Sequence, residues 1–132
     1  MIDELTYAQE MLTRGGYTLV VCRDGHVHIS EDSGLCGLLQ IAGSGEWQGA
    51  YAADKVVGKA AALLLVKLKV SAVYAGTLTK SAARVFEAND IAYRYGKCVG
   101  SLLNTDKTDY CPYEKAVQTT ESPDEAFTIL NQ

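Results

Sequence analysis

Two lysines four residues apart, Lys55 and Lys59, bracket a glycine, Gly58, and follow an aspartate, Asp54. A helix that starts at residue 55 places both ammonium groups on one face. Helix starts carry unsatisfied backbone N–H groups and the positive end of the macrodipole. Cations there oppose local stability, and Gly58 inside a helix costs about 1 kcal/mol relative to alanine. Local choices that work against stability mark candidate functional sites. The chemistry these residues suit is anion capture, with free N–H groups and two ammonium groups around a phosphate or carboxylate. Asp54 is either the N-cap of that helix or the group that orients Lys55 or takes a ligand hydroxyl or amine. Gly58 allows close approach of a ligand, or tight packing of the helix on its sheet.

A second candidate is Cys111, which precedes Pro112 and so takes the N-cap position of a helix. A thiol at a helix start can be a nucleophile. Glu114, three residues on, suits a carboxylate that reaches back to the cap, or a general base for the thiol or for water. Its charge opposes thiolate formation, and a buried capping thiol is the plainer reading. His26 and His28 alternate along a strand and share a face, but no third metal ligand is identifiable, so a solvated face is expected. Gly43-Ser44-Gly45 lacks the Lys-Ser/Thr of a Walker motif and the full G-x-G-x-x-G pattern.

The elements that must position these residues follow from periodicity and punctuation. Residues 3–14 predict an amphipathic helix capped by Asp3 and closed by Gly15-Gly16. Residues 17–22 and 26–30 predict a hairpin around Asp24-Gly25. A short helix is expected over 34–42, a short strand over 50–53, and a buried helix over 55–68. A strand over 71–76, a Thr79-capped helix to 88 and a strand over 91–95 follow. A helical turn over 99–103, a polar turn over 104–109 and a helix over 112–118 come next. Ser122-Pro123-Asp124-Glu125 forms a capping box for a last helix over 123–130.

The 132 residues suit one domain, and the hydrophobic and charged fractions, 48% and 21%, are those of a globular protein. A net charge of -4 gives no electrostatic case for a nucleic-acid partner. The apolar run over 60–66 is far short of the roughly 20 residues a membrane span needs. The first residues lack the basic-then-apolar order of a secretory signal, so a cytoplasmic setting with reduced thiols is expected. The four cysteines form no C-x-x-C pair.

A hairpin followed by alternating helices and strands predicts an α/β fold with a mixed sheet and helices on both faces. This order resembles the cytidine deaminase-like fold. The segments Asp54-Lys55-Val56-Val57-Gly58-Lys59-Ala60-Ala61-Ala62-Leu63-Leu64 and Cys111-Pro112-Tyr113-Glu114-Lys115-Ala116-Val117 resemble a narrower group. That group comprises small bacterial and archaeal proteins with a deaminase-like fold, no zinc site and no established function. The resemblance implies a three-layer α/β/α sandwich over residues 1–132. Deaminases need H-x-E or C-x-E at one helix start and P-C-x-x-C at the next. Asp54-Lys55-Val56 and Thr79-Lys80-Ser81-Ala82-Ala83 supply neither histidine nor cysteine, so no metal and no cofactor is expected. The leading expectation is a zinc-less domain that binds a small anion, a nucleotide or related metabolite, through Asp54, Lys55, Gly58 and Lys59. One alternative is a metal-independent transferase or hydrolase with Cys111 as nucleophile and Glu114 as base. The other is an oligomeric scaffold without a ligand, its eight tyrosines serving an interface between copies.

Overall fold

The computed structural model describes residues 3–32, 35–102 and 111–131. Helix α1 (Glu4–Gly15) starts where the Asp3 carboxylate accepts the Thr6 N–H at 2.7 Å, and it closes at left-handed Gly16. Strands β1 (Leu19–Arg23) and β2 (His26–Ser30) form the expected hairpin. Both of its turn residues, Asp24 and Gly25, have positive φ, which suits the twist of a two-residue hairpin. Then follow α2 (Cys36–Ala42), β3 (Tyr51–Val57), α3 (Lys59–Leu68), β4 (Ala72–Thr79), α4 (Lys80–Ala88) and β5 (Ala92–Val99). Helices α5 (Pro112–Ala116) and α6 (Pro123–Leu130) end the chain.

The five strands make one mixed sheet in the order β2-β1-β3-β4-β5. β1 is antiparallel to both neighbours, whereas β3, β4 and β5 run parallel. Alternation sorts the first half of the sheet onto two faces. Val20, Cys22 and Ala53 pack with Ala8 and Leu12 of α1. Leu19, Val21, Ala52, Val73 and Ala75 point the other way, into the larger core with α2, α3, α4 and α6. Helix α3 lies at the centre of that core, with seven of its ten residues buried.

The strand–helix junction expected at residue 54 falls elsewhere. β3 continues to Val57, and α3 begins only at Lys59. The strand also changes phase on the way. Ala52 and Val57 both enter the larger core although five residues separate them, and so do Ala75 and Leu78 of β4, three apart. An odd separation on one face requires an irregularity in a period-2 strand. It lies at Gly76, where a Cβ would sit 2.6 Å from the Lys55 carbonyl oxygen. At Gly96 the next strand also approaches, less closely, with a Cβ there 3.0 Å from the Gly76 carbonyl oxygen. The backbones touch across three strands, and Lys55 and Val56 are left exposed in a central strand.

Two smaller expectations also change. Val99 belongs to β5, which outlasts the predicted 91–95, and residues 100–102 are irregular rather than helical. Leu103 and the polar turn expected over 104–109 lie outside the described residues.

Candidate functional site

The start of α3 is built from distant pieces of chain. Its N-cap is Gly58, in extended conformation with no side chain to accept the first N–H groups. Glu114 of α5 does so instead, one carboxylate oxygen accepting the Lys59 N–H at 2.7 Å and the other the Ala60 N–H at 2.8 Å. This charge-assisted pair places an anion against the positive end of α3. A Cβ at Gly58 would collide with that carboxylate and approach a Leu102 methyl to 2.8 Å. The glycine is therefore required by close approach, and the anion it admits is the chain's own.

Lys59 grips the same segment a second time. Its Nζ donates to the Gln118 carbonyl at 3.2 Å and to the Glu121 carboxylate at 2.9 Å. The side chain is only 12% exposed, so it acts as a fastener between α3 and the α5–α6 connection.

Asp54 and Lys55 do not join this group. Asp54 is a β3 residue opposite Leu19 and Ala75, not a helix cap. It is 9% exposed and accepts a long 3.4 Å bond from the Val56 N–H. Burial pushes its carboxyl pKa up to about 7, against the opposing pull of the Val56 and Lys55 N–H groups. Lys55 points out of the strand into solvent, so it shares no helix face with Lys59. Of the four expected ligand-binding residues, the structure brings together Gly58 and Lys59 and adds Glu114.

Cys111 stands at the N-cap of α5, half-buried, with no hydrogen bond from its thiol to the helix. Its N–H donates to the Leu102 carbonyl at 3.0 Å. Glu114 does not reach back to it as a capping box would, because both oxygens are engaged on α3. Cys22 is buried on the α1 side of the sheet, and burial, followed by the charge of Glu4, raises its thiol pKa to about 11. His28 turns its ring towards Trp47, with centroids 6.2 Å apart. Among the described residues, no three His, Cys, Asp or Glu side chains converge as a metal site would require.

Beside the α3 start lies an open cleft of about 610 Å³, between α4 and the α5–α6 segment. Its α4 wall is Ser81, Arg84, Val85 and Ala88, a stripe with i, i+3, i+4, i+7 spacing. Leu102 and Gln118 face it. Thr79 caps α4 by accepting the Ala82 N–H at 3.1 Å, and its hydroxyl lies 3.1 Å from that of Ser81. Arg84 has no ion pair or hydrogen bond among the described residues, although Lys59 and Glu121 nearby are paired. The sequence reading missed Ser81 and Arg84. Their spacing after the Thr79 cap was the available signal.

Among solved structures, a DUF1893 family protein (TM1506) from Thermotoga maritima is similar to this chain. The TM-score is 0.89 at 25% identity, covering 99% of this chain and 91% of that one. No curated protein matches. Among the described residues, no helix is long and apolar enough to cross a membrane. The family model for a domain of unknown function (DUF1893) matches residues 7–132, and the chain belongs to that family.

Proposed function

We propose that this domain binds a small anionic molecule, a nucleotide or nucleotide-derived metabolite, in the cleft between α4 and the α5–α6 segment. The observation that carries the reading is Arg84, a guanidinium with no ion pair or hydrogen bond among the described residues, beside an apolar wall of Val85 and Leu102. A guanidinium suits phosphate or carboxylate in bidentate geometry, and Ser81 one turn earlier offers a hydroxyl. The apolar wall suits a flat, weakly polar body attached to that anion. The cleft lies next to the starts of α3 and α4, where parallel strands β3 and β4 end, a usual place for ligands in open α/β sheets. The charge comes from Arg84 and not from Lys55.

The fold reading behind this proposal is a single three-layer, deaminase-like sandwich without the zinc site, in a cytosolic setting. The five-stranded mixed sheet with α1 on one face and the other helices opposite supports the layering. The absence of histidine and cysteine from the two helix starts supports the loss of zinc chemistry. The nucleotide class rests on analogy with that fold.

A thermal-shift screen of nucleoside mono-, di- and triphosphates, with and without zinc, tests the reading. A ligand at a hundred times its dissociation constant stabilises the native state by about 2.7 kcal/mol. The expected result is a shift that disappears in Arg84→Met and survives in Lys55→Met. No shift with any compound, or one indifferent to Arg84→Met, would contradict it.

A further inference from the structure

We propose that β2 is a dimerisation edge, at which two copies of this chain join antiparallel about a two-fold axis at His28. β2 ends the sheet and, among the described residues, pairs only with β1. An open strand edge is a template for another strand, and proteins commonly blunt it with charge, proline or a bulge. The far edge, β5, carries Arg94 and Lys97. β2 reads His26-Val27-His28-Ile29-Ser30, with no lysine, arginine, carboxylate or proline, and it follows β1 in unbroken register.

The backbone of β2 is turned to accept a partner. The two-residue turn makes Arg23 and His26 a hydrogen-bonded pair, and alternation then directs the N–H and C=O groups of His26, His28 and Ser30 to β1. Those of Val27 and Ile29 face the open edge. Their side chains stand opposite Cys22 and Val20, on the α1 face of the sheet. Helix α1 packs on β1, β3 and β4, and it leaves Val27 and Ile29 40% and 43% exposed.

A second copy supplies the matching edge. About an axis at His28, Val27 lies opposite Ile29 of the other copy, and Ile29 lies opposite its Val27. Hydrogen bonds across these two pairs use every open N–H and C=O of both residues in both copies. Setting Val27 against Val27 would leave Ile29 opposite Gly25, and setting Ile29 against Ile29 would put Val27 opposite Glu31. The strand is thus self-complementary in one register, as an isologous two-fold interface requires. The contact is small, so the dimer belongs in the micromolar to millimolar range. Helix α4 packs on β4 and β5 at the other end of the sheet, so the pairing leaves the proposed cleft clear and stands independently of it.

Sedimentation velocity of the full chain, combined with residue-resolved amide exchange from about 20 µM to about 1 mM, is the test. Monomer should give way to dimer over that range. Exchange at the Val27 and Ile29 amides should slow by about threefold or more, with His26 and His28 steady. Val27→Pro removes a donor at the open edge and no bond to β1, so it should keep the monomer fold and remain monomeric at about 1 mM. Ile29→Lys, which puts a charge on the edge, should do the same and serves if the proline variant does not fold. A chain that stays monomeric throughout would overturn the proposal and leave the edge to a strand of another protein. A dimer that survives both variants, or whose concentration-dependent protection falls on β5 or a helix instead, would overturn it too.

Discussion

A lysine at the first position of a helix, preceded by a glycine that cannot cap, is poor local chemistry until Glu114 is brought to it. The carboxylate satisfies two orphan N–H groups and offsets the Lys59 charge at the helix start. The anion at the start of α3 is the chain's own Glu114, 55 residues beyond Lys59 and 54 beyond Ala60. That pairing was not legible, because nothing in Cys111-Pro112-Tyr113-Glu114 distinguishes a carboxylate that reaches back to its own cap from one that reaches across to another helix. Asp54 presents the opposite case, a carboxyl that capping alone would have explained and that is instead buried in the sheet. Its folded pKa, about 7, stands above the ordinary aspartate value of 3.8. The native state therefore holds the proton over a range in which the unfolded chain has released it. Stability is highest below the unfolded pKa and falls as pH rises towards 7, where the loss levels off. Asp54→Asn should remove this slope, worth roughly 2–4 kcal/mol across the window. Urea denaturation at pH 4.5 and pH 8 checks it. The parent should be more stable at the lower pH by more than the variant is, and equal slopes in the two proteins would contradict the assignment.

At the scale of elements, the caps and turns were readable because their determinants are local. Asp3, Thr79 and Ser122 each accept the N–H three residues on, and the Asp24-Gly25 turn forms where its residue types require. The strand–helix junction at β3 was not readable. Lys55 and Val56 break the alternation that identifies a strand, and the apolar run that follows makes a helix from residue 55 the simpler pattern. The physical cause sits in other strands, where Gly76 lets its backbone meet the Lys55 carbonyl and Gly96 repeats the approach. Gly76→Ala should therefore destabilise the domain by about 1–3 kcal/mol, as overpacking does elsewhere. The comparison to make is Gly100→Ala, where a Cβ would meet nothing. Equal unfolding midpoints in urea for these two variants would count against the close-packed crossing of β3, β4 and β5.

At the scale of the whole molecule, the sheet places one helix on one side and the larger core on the other. The open cleft forms where α4 and the chain's last two helices meet beside the start of α3. The fold class was recoverable from element order, and the similarity to the solved DUF1893 structure agrees with an α/β assignment. The proposed cleft is lined by Lys59 and Glu114 but not by Asp54 or Lys55. Sequence reasoning put the ligand charge on Lys55 and Lys59 and passed over Arg84; the extended β3 turns Lys55 outward, Lys59 is paired with Glu121, and Arg84 lies on the α4 stripe that lines the cleft. The most direct measurement is a ¹⁵N-correlation NMR titration of the full chain with adenosine 5′-monophosphate and guanosine 5′-monophosphate. Perturbations concentrated at Ser81, Arg84, Val85 and Gln118, saturating with concentration and abolished in Arg84→Met, are the expected result. Saturable perturbations centred on Lys55 and Val56, or none at any residue, would contradict a binding cleft at α4.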